Sequence, residues 1–198
     1  MFVQVIEGHV ADREALRRQM ERWMTDLRPG ATGFLGSTAG VTDDGRMVVV
    51  ARFASAADAK ANSERPEQSQ WWAETERCLA GEATFTDSED VETILGGGSN
   101  DAGFVQVMKG TATDRDRLHA TDEMFAEHAA SYRPDVMGAL RAWTGPDAYV
   151  EVVYFTNEAD ARQGESKEPP AELAESMGEF EALMANVEFV DLRDPWLY

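Results

Sequence analysis

The sequence predicts an α+β protein built from two copies of one β-α-β-β-α-β unit. The strand Phe2-Val3-Gln4-Val5 returns as Phe104-Val105-Gln106-Val107, and Asp12-Arg13 returns as Asp114-Arg115, both at a spacing of 102 residues. Each copy also shows the same alternation of strand and helix patterns. Solenoid repeats have periods of about 20–50 residues, so this repeat is the size of a domain.

The first copy begins with a strand over Phe2–Val10, which is rich in β-branched and aromatic residues. Asp12 is then expected to cap a helix whose apolar residues recur at helical spacing, and Arg28-Pro29-Gly30 ends that helix. The following elements are expected to be strands Thr32–Val41 and Arg46–Phe53 around an Asp-Gly turn, helices Ala56–Asn62 and Glu67–Leu79, and strand Glu82–Glu89.

The second copy repeats this order around the turn Thr144-Gly145-Pro146-Asp147. Its expected elements are strand Phe104–Gly110, helix Asp114–Ser131, strand Tyr149–Phe155, helix Ala171–Ala185 and strand Asn186–Leu192. A three-residue insertion before the hairpin aligns Arg28-Pro29 with Arg133-Pro134 and Gly33 with Gly138.

The domain boundaries follow from the repeat. Residues 1–95 form the first unit, the Gly-rich segment 96–102 is a linker, and residues 103–198 form the second unit with a C-terminal tail. Both hairpins carry apolar residues on the two sides of the sheet, as in Val48-Val49-Val50. We therefore expect the second unit to cover the sheet of the first, so that one chain forms a pseudo-dimer.

Composition narrows the class of partner. A net charge of −19 repels phosphate backbones and anionic lipids, so neither nucleic acid nor a membrane is expected as a partner. Cys78 is the only cysteine, which excludes an intrachain disulfide and fits a reducing compartment; it is expected to pack in the core. The sequence has neither a signal-peptide pattern nor a membrane-spanning stretch, so a cytoplasmic location is predicted.

The Phe-Val-Gln-Val strand with its Asp-Arg helix start, the Arg-Pro passage and the Phe…Ala-Asp-Ala passage resemble the antibiotic-biosynthesis-monooxygenase-like family. The resemblance implies two ferredoxin-like units that form a dimeric α+β barrel within one chain. It also implies a cavity between each sheet and its helices, sized for a flat aromatic molecule. Members of the family include cofactor-free oxygenases and haem-degrading enzymes. Haem degradation is disfavoured, because no histidine follows Trp71-Trp72 and the first strand offers Gln4 rather than an asparagine.

Five residues of the first copy are candidates for substrate binding: Trp71, Trp72, Gln4, Arg52 and Asn62. One of the two tryptophans offers a stacking wall, although both could equally be core residues, since neighbours on a helix point about 100° apart. Gln4 and its counterpart Gln106 lie in apolar strands, where each amide either holds a ligand oxygen or is satisfied within the protein. Tyr154 is a further candidate, at the position of Arg52 in the second copy.

No metal site and no cofactor are expected. His119 and Glu123 could share one helix face, but no third ligand accompanies them. Two functions remain open: a cofactor-independent monooxygenase-like protein acting on a small aromatic or quinol-type metabolite, and a non-catalytic binding protein of the same fold. The tryptophan pair favours a site in the first copy, with Leu173 and Met177 of the second copy unimportant. Further oligomers could form through the apolar C-terminal tail.

Overall fold

The computed structural model describes residues 1–198 and contains two compact units. Unit 1 comprises Met1–Asp90 together with Asp194–Tyr198, and unit 2 comprises Val91–Arg193. The ten strands are β1 (Phe2–His9), β2 (Phe34–Val41), β3 (Arg46–Phe53), β4 (Thr84–Ser88), β5 (Val91–Ile94), β6 (Phe104–Ala112), β7 (Val136–Trp143), β8 (Ala148–Phe155), β9 (Met184–Leu192) and β10 (Trp196–Leu197). The six α-helices are α1 (Arg13–Arg22), α2 (Ala56–Ser63), α3 (Pro66–Thr75), α4 (Arg115–Tyr132), α5 (Glu158–Glu165) and α6 (Ala171–Leu183).

Each unit contains one five-stranded antiparallel sheet. The strand order is β10-β2-β3-β1-β4 in unit 1 and β5-β7-β8-β6-β9 in unit 2. In both sheets the first strand of the repeat lies beside the second strand of the hairpin, with Gln4 opposite Ala51 and Gln106 opposite Val153. This is the ferredoxin-like order that the repeat predicts, extended in each unit by one short edge strand.

The helices begin where the sequence places their caps. The carboxylate of Asp12 accepts the backbone N–H of Ala15 at 2.9 Å, and Asp114 accepts that of Arg117 at 3.1 Å. A capping oxygen at this position satisfies one of the backbone donors that a helix start leaves without a partner. The two copies then diverge: α1 ends in a π-helical turn over Trp23–Leu27, whereas α4 continues without interruption.

The two short edge strands come from the ends of the repeats, and the sequence did not predict them. β5 follows the first repeat but pairs with β7 in unit 2, and β10 follows the second repeat but pairs with β2 in unit 1. Trp196 of β10 is buried in the core of unit 1, and the Arg17 guanidinium lies 5.7 Å from its ring centroid. The sheet of each unit is therefore completed by a short strand that follows the other repeat in the sequence.

The alignment of Gly33 with Gly138 is wrong. Both hairpins contain a β-bulge, and the register across it makes Gly36 the counterpart of Gly138, at the spacing of 102 that holds elsewhere. The second copy has three more residues in its first helix and three fewer in the following loop, so the spacing returns to 102. Gly36 has φ +139°, and a Cβ there would lie 2.5 Å from the carbonyl oxygen of Tyr198. Glycine thus lets the C-terminal backbone approach the sheet.

The helix-facing side of the unit 1 sheet is an apolar core. Trp23 and Trp71 pack there edge to face, 6.5 Å apart, against Val49 and Ala39 of the sheet. Cys78 belongs to the same core, as expected. No helix combines the length and apolarity needed to cross a bilayer. That the two sheets cover each other stays a prediction.

Candidate functional site

A cavity of about 580 Å³ lies in unit 2, between the sheet and helices α4 and α6. This volume falls in the range of about 300–1,000 Å³ that is typical of small-molecule sites. Most of the wall is apolar, and its aromatic and thioether side chains are Met108, Phe125, Tyr132, Phe155, Met177, Phe180, Met184 and Phe189. The wall is therefore suited to a flat apolar molecule.

Four carboxylates line this cavity, and two of them, Asp122 and Glu151, are bound to one buried arginine. Arg141 on β7 is fully buried; its Nε donates to Oε2 of Glu151 on β8 at 2.9 Å, and its Nη2 lies 2.7 Å from the same oxygen. The same guanidinium binds both carboxylate oxygens of Asp122 on α4, one of them through Nη2 at 3.2 Å. Glu92 on β5 accepts from Arg141 at 3.4 Å and from the indole N–H of Trp143 at 2.9 Å.

Burial makes these carboxyls more basic than free ones. Desolvation raises the pKa of Glu151 and that of Asp122, and Arg141 only partly opposes this by stabilising the charged forms. The negative charge of Glu92 raises both pKa values further. Desolvation beside Glu151 also raises the pKa of Tyr149 to about 12, so its hydroxyl stays protonated at neutral pH.

Glu151 has one carboxylate oxygen that accepts no hydrogen bond from the protein. The hydrogen bond and the short ion-pair contact from Arg141 both end on Oε2, and Oε1 accepts no hydrogen bond. The residue is only 4% exposed, and it is part of the cavity wall. A buried carboxylate with a raised pKa and an uncommitted oxygen at a cavity is suited to accept a proton from a bound molecule.

The first copy has no counterpart of this charged cluster. At the spacing of 102, Asp122, Arg141 and Glu151 correspond to Met20, Ala39 and Val49, which all belong to the apolar core of unit 1. The strand registers give the same correspondence, since Ala39 pairs with Val49 as Arg141 pairs with Glu151. The second copy therefore holds an arginine and two acids where the first has apolar side chains.

The two predicted tryptophans belong to unit 1 and do not line this cavity. Trp71 is buried, and its indole N–H donates to the carbonyl oxygen of Gln19 at 2.8 Å. Trp72 is half-buried, with its ring centroid 6.0 Å from that of Trp71 and 5.1 Å from that of the exposed Phe85. The donor of Trp71 is thus used within the protein, and its counterpart in unit 2, Leu173, lines the cavity.

The glutamines form the same contact in both units. Gln4 donates to Asp87 at 2.9 Å and Gln106 donates to Asp191 at 3.0 Å, in each case across the sheet to its edge strand. The side-chain N–H group of each glutamine thus has a partner within the protein, which was one of the two alternatives for these amides. Gln106 also lines the cavity of unit 2, so it is the one glutamine of the pair that adjoins the site.

Arg52 lies on the other side of the sheet from the tryptophans, and Asn62 has a hydrogen-bond partner within the protein. Successive strand residues face opposite sides of a sheet; Val49 packs with Trp71, so Arg52 faces the other side. The same alternation separates Tyr154 from Glu151 in unit 2. Asn62 is buried on α2, where its side-chain oxygen accepts from Arg65 at 2.9 Å.

His119 and Glu123 are both exposed, and no group of three or more His, Cys, Asp and Glu side chains could hold a metal ion.

Sequence reasoning missed the residues that line the cavity, above all Asp122, Arg141 and Glu151. They are far apart in the chain, and each lies within an otherwise unremarkable helix or strand. A signal was present, however: comparing the copies position by position sets three charged residues against Met20, Ala39 and Val49. A charge at a position that the other copy keeps apolar indicates a buried ion pair or a site.

Comparison with known proteins shows the fold. No protein-family model and no curated protein matches the chain. A protein named "putative monooxygenase" from Lactobacillus acidophilus NCFM is similar over 100% of this chain and 98% of its own, with a TM-score of 0.71 and 12% identity. One of the same name from Fusobacterium nucleatum subsp. nucleatum covers 99% and 93%, with a TM-score of 0.71 and 9% identity. An "anthrone oxidase-like protein" also covers 99% and 93%, with a TM-score of 0.60 and 13% identity.

These likenesses span the whole chain, both repeats included. At such low identity they establish fold and not activity. The predicted fold class, α+β with two ferredoxin-like units in a single chain, is confirmed, and so is the resemblance at the level of fold.

Proposed function

We propose that this chain is a cofactor-independent monooxygenase-like protein that binds a small aromatic or quinol-type metabolite in the cavity of unit 2. The observation that carries the proposal is the uncommitted Oε1 of Glu151, a buried carboxylate in an otherwise largely apolar wall. The names of the similar structures agree with this chemistry. The proposal places the site in the second copy, contrary to the expectation drawn from the tryptophan pair.

The residues act in three ways. Phe125, Phe155 and Phe180 enclose a flat ring and exclude water from it. Arg141 holds Glu151 in one orientation through Oε2, while Oε1 accepts a proton from an acidic C–H or O–H of the bound molecule. Since burial raises the pKa of Glu151, its carboxylate is a stronger base than one in water.

The reaction needs no redox group of the protein. For an activated CH₂ carbon, the C–H bond breaks, its proton goes to Glu151, and the pair of electrons stays on the ligand as a carbanion. The carbanion passes one electron to O₂, and the resulting superoxide and carbon radical combine into a C–O bond. The peroxide takes the proton back from Glu151. Loss of water, which carries the second hydrogen and one oxygen atom, leaves a carbonyl.

Oxygen uptake tests the proposal. The full-length protein is supplied with a tricyclic anthrone or a naphthohydroquinone, and oxygen consumption above the uncatalysed rate is compared with that of Glu151→Gln. This change keeps the side-chain volume and removes the base, so at least a 100-fold loss is expected, within the typical contribution of general-base catalysis of about 10²–10⁴. Glu123→Gln, an exposed acid on α4, is the matched control and should keep the full rate.

A ligand that binds in the cavity without oxygen uptake by the unmodified protein would instead identify a non-catalytic binding protein. Ligand binding by Trp71, Trp72, Gln4, Arg52 and Asn62 stays a prediction, and titration tests it. If that prediction holds, Trp72→Ala weakens binding and Met177→Ala does not. The cavity in unit 2 favours the reverse, because Met177 belongs to its wall.

A further inference from the structure

The polar atoms at the buried end of the cavity are mainly acceptors. Asp122 and Glu151 are acceptor-only groups when ionised, and the hydroxyl of Thr121 already donates to the carbonyl oxygen of Leu118 at 2.7 Å. Gln106 donates to Asp191 and keeps its own amide oxygen as an acceptor. The buried donors of Arg141 point to the carboxylates rather than to the cavity space.

We infer that this cavity selects neutral ligands that donate a hydrogen bond, such as a ring hydroxyl, and excludes ligands that carry a carboxylate or another anionic group. This inference rests on the proposed function for the identity of the site, and it adds what the site recognises. A ligand O–H can donate to Oε1 of Glu151, whereas a ligand anion would lie beside a buried like charge.

Charge counting supports the exclusion of anions. Arg141 supplies one positive charge to three carboxylates, those of Asp122, Glu151 and Glu92, so the cluster carries excess negative charge. The rest of the wall adds no net positive charge: Arg133 is held by Asp135 at 2.7 Å, and the one lysine, Lys167, is accompanied by two acids of the same wall, Glu165 and Glu181. In a cavity screened from water, repulsion between like charges is stronger than at the surface.

The same wall distinguishes substrate from product. Oxidation of a hydroxyl or an acidic carbon to a carbonyl turns the reacting group into one that only accepts hydrogen bonds. Once Glu151 has returned its proton, that carbonyl faces carboxylate oxygens that cannot donate. The product therefore loses the hydrogen bond that held the substrate, which favours its release.

A matched set of three bicyclic probes tests the inference by binding alone. The probes are 2-naphthol, which donates, 2-methoxynaphthalene, which has the same ring system and only accepts, and 2-naphthoate, which is anionic. Each is titrated by calorimetry into the full-length protein at pH 7 without oxygen. A hydrogen bond to a charged group corresponds to about tenfold to 100-fold in affinity, so naphthol should bind that much more tightly than the other two.

Glu151→Gln introduces an amide donor and removes a charge, so in this variant the preference for naphthol over naphthoate should fall at least tenfold. Equal affinities for the three probes, tighter binding of naphthoate, no binding of any probe, or a preference unchanged in Glu151→Gln would each overturn the inference. Selective binding without oxygen uptake would refute the oxygenase reaction and leave the selection intact. Oxygen uptake that depends on Glu151, without selective binding, would refute the selection and support the oxygenase reaction.

Discussion

Removing the arginine of the buried cluster should destabilise the protein far more than removing the whole cluster. In Arg141→Met, Asp122 and Glu151 lose the partner that neutralises them, although their side chains are only 10% and 5% exposed. Breaking a buried ion pair from one side typically costs about 3–5 kcal/mol, because the remaining charge stays desolvated. We expect a loss of this size in the free energy of unfolding at pH 7.

The triple variant Asp122→Leu/Arg141→Met/Glu151→Met replaces the guanidinium and its two buried carboxylates with apolar groups of similar size. Glu92 remains; it is partly exposed and keeps the hydrogen bond from the indole N–H of Trp143. The first copy already folds with apolar residues at these three positions. Exchanging a buried ionic cluster for apolar residues is often neutral or stabilising by about 1–4 kcal/mol. The triple variant should therefore be at least as stable as the unmodified protein while losing oxygen uptake and the selection among probes.

The pH dependence gives a second check on the same reasoning. A carboxyl whose pKa is raised on folding binds more protons in the folded state, so its contribution to stability is largest at low pH and falls as the pH rises through the folded pKa. Desolvation raises the pKa of both Asp122 and Glu151, and without Arg141 the values should rise further. The deficit of Arg141→Met should therefore shrink between pH 7 and pH 5, whereas the triple variant shows no such change.

Urea unfolding, followed by circular dichroism at the two pH values, measures these differences for the unmodified protein and both variants. If Arg141→Met kept the stability of the unmodified protein at pH 7, the cluster would not be a buried, mutually neutralising group, and the argument for a poised Glu151 would fail. A loss of stability in both variants to the same extent would instead indicate that Arg141 acts through packing alone.

Three further outcomes follow from the structure. Glu92→Gln removes a charge that raises the pKa of Glu151, so the pH midpoint of oxygen uptake, below which the base is protonated, should move to lower pH; an unchanged midpoint would contradict this coupling. Trp196→Ala should lower the free energy of unfolding by about 3–5 kcal/mol in urea titration, as expected for a buried tryptophan, and a change under 1 kcal/mol would show that the tail is dispensable. Gly36→Ala should cost about 1–3 kcal/mol in the same assay through its positive φ and the crowded C-terminal carbonyl, while Gly81→Ala, whose Cβ would meet nothing within 4 Å, should have little effect.

The fold could be predicted from the sequence because the signals for its helices, strands and turns are local, and they occur in both copies. Asp12 and Asp114 cap their helices, the Asp44-Gly45 turn closes a hairpin, and each strand shows the expected composition. The site was not predictable in the same way. Asp122 and Arg141 contact each other across 19 positions, and neither occurs in a recognisable motif. Trp71 drew attention through its chemistry, yet the structure uses its ring and its N–H within the core of unit 1.

The exchange of short edge strands has a consequence for how such a chain can be divided. A gene cut at the Gly-rich segment 96–102 would give a first half without Trp196 and a second half without Glu92. The second half would keep Asp122, Arg141 and Glu151. It would lose Glu92, which raises the pKa of the two acids, and it would lose the part of the cavity wall that Ile94 and Leu95 form. Neither repeat is thus a self-contained genetic unit. A gene fragment that encodes one complete folded unit must also include the short edge strand that follows the other repeat.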